Sequence, residues 1–271
     1  MVTQEQRRRQ LAREKFLRQQ QRRTDARRKA RVRNAVVASV LGVVLVGSLA
    51  LYTTGVLKDD KDDKVNASAS ADPTPSAPED PCDKPAEGAV KKQTWKKEPA
   101  VAVDESAKYT MKLATTCGDI DIALNASAAP HTVNSFEFLA GKGYFDHTRC
   151  HRLTSNGIFV LQCGDPTGSG SGGPGYTIPD ENLKDKSLKG GVYPAGTVAM
   201  ANTGQAHTGG SQFFLVYQDS QLPPSYTPFG TVSESGMTVL KKIAEAGENT
   251  GAGDGAPNAT VVIDKATVAK S

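Results

Sequence analysis

With 271 residues the chain has room for one large domain, or for one ordinary domain with appendages, and its uneven composition favours the second. Of its 33 Lys and Arg residues, 13 fall in the first 34 positions against three acids, so this segment carries about +10 while the whole chain carries only +4. The remainder is therefore acidic, and the overall basic balance belongs to this segment and not to the folded part.

The basic segment, residues 1–34, runs from Arg7-Arg8-Arg9 to Arg27-Arg28-Lys29 with Phe16 as its only aromatic. No nucleic acid is expected as a partner. Residues 35–57 (AVVASVLGVVLVGSLALYTTGVL) carry no charge. As a helix they would extend roughly 34 Å, enough to cross a hydrocarbon core of ~30 Å. A transmembrane helix is expected here, and the basic block before it places residues 1–34 in the cytoplasm and residues 58–271 outside. A cleaved signal peptide is the rival reading, with small-residue sites at Ser48-Leu49-Ala50 and Ala67-Ser68-Ala69, although its apolar region normally runs only ~7–15 residues.

Residues 58–99 are expected to be a flexible extracytoplasmic stalk. KDDKDDK is fully solvated, and NASASADPTPSAPEDP has too few apolar residues to bury anything. Trp95, the only tryptophan, is the residue there that could dock onto a domain.

Residues 100–271 are long enough for a core. Segments 109–114 and 119–124 alternate as strands do, with Thr115-Thr-Cys-Gly118 as the turn between them. Pro130 opens a short helix with Val133, Phe136, Leu139 and Ala140 at helical spacing. Segments 149–153 and 158–163 read as strands around Asn156-Gly157, a favoured two-residue turn. Residues 168–175 form a glycine-rich loop without the spacing of a phosphate-binding loop. Further strands are predicted over 196–201, 212–217 and 229–232, and a second helix over 237–246. Many short strands with two separated helices give a mainly β fold, a barrel with helical plugs. His147-x3-His151 with Cys150 and Cys163 contains metal-ligand types but no recognised zinc spacing, and no Gly-x-Ser-x-Gly elbow marks a hydrolase. No metal and no cofactor are expected.

One ordered set of segments is more specific. Phe136-Glu-Phe-Leu139, Gly143-Tyr-Phe-Asp146, His151-Arg152, Phe159-Val-Leu-Gln162, Gly164-Asp165, Ala199-Met-Ala-Asn202, Gly210-Ser-Gln-Phe-Phe214 and Phe229-Gly230 together resemble the cyclophilin family, in the family's order, over about residues 108–247. The resemblance implies a closed eight-stranded antiparallel barrel capped by two helices, and peptidyl-prolyl cis-trans isomerase activity on Pro-containing polypeptides. By resemblance Arg152 is the catalytic donor. Phe159, Val160, Phe214 and Leu222 line a pocket for the proline ring, with Ala201 and Tyr226 also at the substrate. Gln162 bonds the substrate or steadies Arg152, Asn202 meets the peptide backbone, and Gln212 supports that wall. This chain departs from the family's best-known members in about two extra residues between Arg152 and Gln162, in Gln221 where many have Trp, in Tyr226 where many have His, and in Val160 for a common Met. The Arg, Phe and Gln set is intact; sensitivity to cyclosporin-type ligands is put in doubt by Gln221. A membrane-anchored bacterial member of this kind, monomeric, assisting the folding of secreted or cell-surface proteins, is the leading expectation. A Pro-peptide binding module or chaperone with little turnover is the alternative, and an intact Arg152 speaks for the enzyme.

The four cysteines, Cys82, Cys117, Cys150 and Cys163, suggest disulfides outside the cytoplasm and allow three connectivities. Cys82–Cys117 with Cys150–Cys163 is favoured. A two-residue turn at Asn156-Gly157 sets Ser155 opposite Ile158 and Cys150 opposite Cys163. Against this, the family places the residues matching Arg152 and Gln162 on one wall, which shifts the register by one and sends the two cysteines to opposite faces. A bulge supplied by the extra residues would reconcile both demands.

Overall fold

The structure, a computed structural model, describes residues 80–271. The basic segment, the expected membrane span at 35–57 and the first part of the expected stalk lie outside the described residues. Among those described, no helix is long and apolar enough to cross a membrane.

Period-two patterning builds the first hairpin. β1 (Tyr109–Thr115) and β2 (Gly118–Leu124) pair without interruption from Tyr109 opposite Leu124 to Thr115 opposite Gly118. Met111, Leu113, Ile120 and Ile122 point inward and are fully buried, while Lys112 and Asp119 form an ion pair outside. Gly118, at φ 126°, takes the turn position closed to other residues. Helix α1 (Pro130–Gly141) starts on a proline, whose missing N–H costs nothing in a first turn. No neighbouring side chain caps it. Instead Glu181, from a distant loop, accepts the backbone N–H groups of His131 (3.0 Å) and Thr132 (2.9 Å). Phe136 of α1 lies at the centre of the core, its ring 4.6 Å from that of Phe229, 5.3 Å from Phe145 and 5.4 Å from Phe213.

The chain then forms β3 (Thr148–Arg149), β4 (Arg152–Asn156), β5 (Ile158–Cys163), β6 (Val192–Tyr193), β7 (Thr197–Met200), β8 (Phe213–Val216), β9 (Ser220–Gln221) and β10 (Pro228–Val232). Helix α2 (Glu234–Glu245) comes next, beginning three residues before the predicted start because Ser233 caps it, accepting the Gly236 N–H at 3.1 Å. β11 (Asp254–Gly255) and β12 (Val262–Lys270) complete the chain. Ten strands form one antiparallel sheet in the order β11-β4-β5-β8-β7-β10-β2-β1-β12-β3, with β6 and β9 paired separately.

The sheet is a curled half-barrel, and the expected closure is corrected in one respect. Among the described residues the eight strands of four or more residues match the expected number, but no ladder joins the two ends of the order. β3 pairs with β12 and β4 with β5, so the chain itself spans the gap at Cys150-His151, where the Cys150 N–H donates to Val261 and the His151 N–H to Gln162. The strand predicted over 149–153 is therefore broken at this corner. The C-terminal strand β12, which the sequence reading did not assign, pairs with β1 from Tyr109 opposite Lys270 to Leu113 opposite Ala266.

The span expected to be a flexible stalk is held more closely than that where it is described, through the disulfide and the tryptophan expected from the sequence. Residues 80–99 hold no regular secondary structure, yet they are fastened to the barrel. Cys82 is bonded to Cys117, the Asp83 N–H donates to the Thr116 carbonyl (2.8 Å), and the Ala86 N–H to Asp264 (3.0 Å). Trp95 does dock, its ring 5.1 Å from Phe138 and 5.9 Å from Tyr144, and its backbone N–H donates to the Pro174 carbonyl. A polar, proline-rich composition signals little burial of its own; a disulfide, one indole and a few hydrogen bonds lay the strap down.

Candidate active site

The site is built on the β4–β5 hairpin. Its register runs from Arg152 opposite Gln162 to Asn156 opposite Ile158, so Gly157 alone, at φ 78°, forms the tip. This is the register implied by the family resemblance, not the one set by a two-residue turn. The second disulfide nonetheless forms between Cys150 and Cys163. No bulge within the hairpin reconciles the two; the corner at Cys150-His151 does, because Cys150 lies outside β4 and escapes its alternation. With both cysteines bonded, that cluster offers no thiolate to a metal.

Alternation along β5 decides what reaches the groove. Ile158, Val160 and Gln162 face one side, where a cavity of about 180 Å³ is lined also by Arg152, Ala201, Asn202, Phe214, Leu222 and Tyr226. Eight residues named from the sequence, Arg152, Val160, Gln162, Ala201, Asn202, Phe214, Leu222 and Tyr226, are thus brought together. Phe159 is not. It faces the opposite side of the strand, its ring 5.9 Å from Tyr217, and Ile158 takes the wall position expected of it. Counting back by twos from Gln162 was the signal that would have found Ile158.

The floor of the cavity is apolar. Val160 and Phe214 pack with Tyr193 and Ala199, and Phe214 meets Tyr226 edge-on at 5.4 Å. Tyr193 accepts the Tyr226 N–H (3.2 Å) and donates to the Tyr226 carbonyl (2.8 Å), so a buried hydroxyl, pushed up in pKa by desolvation, clamps that wall from behind. Asn202 donates its side-chain amide to the Ser225 carbonyl at 2.8 Å and accepts the Gly204 N–H, so its side chain is committed to the wall. Gln221 lies beside Leu222 but turns away to the Gly190 carbonyl (2.8 Å) and does not line the cavity.

A polar relay crosses the cavity mouth. Arg152 Nη1 donates to Gln162 Oε1 (3.2 Å), Gln162 Nε2 to Gln212 Oε1 (2.8 Å), and Gln212 Nε2 to the Gly172 carbonyl (2.9 Å). Gln212 thus supports the wall as expected, by holding Gln162. Asp254, which no motif in the sequence marks, grips the other edge of Arg152: Nε donates to Oδ1 at 2.7 Å and Nη2 to Oδ2 at 2.8 Å. These bonds hold the Asp254 carboxyl below its usual range and raise Arg152 above its own.

Beyond Gln162 and Gln212 a larger, shallower cavity of about 710 Å³ opens, walled by residues 170–177 with Thr203, Thr208 and Gly210. Asp165 shapes that glycine-rich wall. Its buried carboxylate accepts N–H groups from Thr167, Ser169, Gly170 and Gly172. Burial works to raise its pKa, but these bonds and the Thr167 hydroxyl outweigh it and hold the carboxyl low. A side chain on Gly172 would collide with Asp165, which accounts for glycine there. His151 lies under the same loop with both ring nitrogens unpartnered, and burial lowers its pKa.

A curled antiparallel sheet with two helices thus carries an Arg–Gln–Gln relay over an apolar slot. The model of the family described as cyclophilin type peptidyl-prolyl cis-trans isomerase/CLD matches residues 110–268, more than half of the chain, and the chain belongs to that family. It is 49% identical over 168 residues to a probable peptidyl-prolyl cis-trans isomerase B of Mycobacterium leprae, covering 59% of this chain and 57% of the relative. To the protein of the same description in Mycobacterium tuberculosis it is 47% identical over 167 residues, covering 59% and 54%. The chain therefore matches little more than half the length of these curated relatives. A crystal structure of a Cryptosporidium parvum cyclophilin type peptidyl-prolyl cis-trans isomerase aligns with 60% of this chain and 99% of its own, at TM-score 0.49 and 25% identity.

Proposed function

We propose that this chain is a prolyl isomerase that turns X–Pro bonds of extracytoplasmic client polypeptides, with Arg152 as its catalytic donor. Rotation must break amide resonance against a barrier of ~18–20 kcal/mol, and unaided it takes tens to hundreds of seconds. No nucleophile or metal is needed for this. A rigid apolar slot holds the proline ring, and a cation beside the rotating amide favours the state in which the proline nitrogen has left conjugation. The observation that carries the reading is the placement of Arg152 at the rim of the 180 Å³ cavity, in line with Gln162. That volume is below the roughly 300–1,000 Å³ of sites for drug-sized ligands, a scale suited to one ring. Because the Asn202 side chain is occupied, the peptide contact expected of Asn202 falls to its backbone groups.

Residues 35–57 anchor the protein in the membrane in this reading, with residues 1–34 in the cytoplasm and the isomerase domain outside. The two disulfides support an oxidising compartment. Clients are then secreted or cell-surface chains with slow X–Pro bonds. The test is catalytic: substoichiometric full-length chain should shorten the relaxation of an Ala-Pro peptide from its uncatalysed tens of seconds or more. Peptide binding without acceleration would promote the binding-module reading. Protease added outside intact cells should remove the domain and spare the tail; the reverse pattern overturns the topology.

A further inference from the structure

We infer that Asp254 is a positioning residue of the isomerase centre, fixing the plane of the Arg152 guanidinium so that one defined edge is left for the substrate. The inference rests on the reading of Arg152 as the donor. A guanidinium offers five hydrogens in a rigid plane. Asp254 takes the Nε and Nη2 hydrogens on one side with both carboxylate oxygens, and Gln162 takes one from Nη1. What remains is one hydrogen on Nη1 and one on Nη2, on the sides that Asp254 does not cover. Held only by Gln162, at 3.2 Å, the plane would be free to turn about its last torsions; two short parallel bonds remove that freedom.

The segment that carries Asp254 is itself built to hold still. β11 pairs with β4, setting Asp254 opposite Thr154, two residues along the strand from Arg152. Behind it, the Glu248 carboxylate accepts the Thr250 N–H and hydroxyl (both 2.6 Å) and the Gly253 N–H (2.8 Å). Asn249 Oδ1 accepts the Ala256 N–H at 3.0 Å, and the Gly253 carbonyl accepts the Ser155 N–H at 2.9 Å. Gly253, at φ 86°, approaches Asn156 so closely that a side chain would collide with it. This is a large investment of hydrogen bonds in a turn that buries almost no apolar side chain. Stability does not explain it either: the Asp254 side chain is 56% exposed, and ion pairs this exposed contribute little to folding. The organisation makes sense as support for the Arg152 fork.

The test uses the full-length chain and an Ala-Pro peptide, with kcat and KM measured separately for Asp254→Ala, Asp254→Asn, Arg152→Ala and Asp254→Ala/Arg152→Ala. Asn keeps the volume of Asp but offers one acceptor oxygen, so it cannot grip both nitrogens. Both single Asp254 variants are expected to lose about tenfold in kcat, the scale of an Arg side chain regaining its rotamer freedom, with KM and thermal midpoint unchanged. In the Arg152→Ala background the Asp254 substitution should cost less than a further twofold, because its effect runs through Arg152. A kcat within twofold of the parent, or above it, overturns the inference, as does a fall confined to KM or an equal fall in the Arg152→Ala background. Arg152→Ala separates the two levels. If it abolishes most activity while the Asp254 variants are unimpaired, only the role of Asp254 fails; if it is harmless, the reading of the site fails with it.

Discussion

The two sides of the half-barrel are built on different rules. On one side β1, β2 and β12 run seven to nine residues, and β1 and β2 pair without interruption. Their inward residues, Met111, Leu113, Ile120, Ile122, Ile263 and Ala266, are apolar and closed off. On the other side β4, β5, β7 and β8 run only four to six residues. There the walls are held by side-chain amides, an ion pair, a clamped tyrosine and a carboxylate collecting backbone N–H groups. Long ladders and apolar packing suit a surface whose task is to stay folded. The groove's ladders are unbroken but shorter, and polar side chains hold its donors at fixed positions along the rim.

If the sides are separable, a substitution on the first should change stability and spare the chemistry. Ile122→Ala removes a fully buried side chain of β2 packed against Gly230, and is expected to cost about 2–5 kcal/mol in a denaturant titration. Activity per folded molecule should hold; a parallel loss would mean that the sides are coupled. Next in size is the strap. Replacing Cys82 and Cys117 by Ser opens a crosslink between residues 35 apart, worth about 2–4 kcal/mol, and should expose residues 80–99 to limited proteolysis. Unchanged stability and resistance would show that Trp95 and the backbone bonds hold the strap alone.

The smallest effect belongs to Asp165. Its folded carboxyl lies below the ordinary value of 3.8, so it contributes stability that is present above that value and lost as pH falls toward its folded pKa. Denaturant midpoints should therefore decline below about pH 4, and Asp165→Asn should be less stable at neutral pH with a flatter acid limb. An unaltered acid limb in the variant would assign the decline to other carboxylates.

Sequence patterning reaches furthest on the first side. β1, β2 and α1 were legible because one face of each is apolar at its own period and because Gly118 and Pro130 mark the ends. On the groove side the same rules go astray by single residues. Asn156-Gly157 reads as a two-residue turn, yet the register that aligns Arg152 with Gln162 leaves only Gly157 at the tip and turns Phe159 outward. The disulfide that seemed to conflict with that register is accommodated by a corner, which no local pattern announces. Asp254 lies in a run of Gly, Asn, Asp and Pro that signals a turn and nothing about what the turn carries. Composition alone misjudges the strap, because Cys82 and Trp95, both singled out in the sequence, hold it together with hydrogen bonds that no composition shows. The residues of the pocket itself were reached through ordered motifs, and eight of the nine that line the cavity had been named.

On the proposed reading Arg152, at the rim of the apolar slot, accelerates rotation about the X–Pro bond. The most direct test of that reading is kcat/KM of full-length Arg152→Ala on an Ala-Pro peptide, with the denaturation midpoint measured on the same preparation. A fall of roughly 10²–10³-fold at an unchanged midpoint is expected, the scale of losing one charged transition-state donor. Activity within twofold of the parent would remove Arg152 from the chemistry.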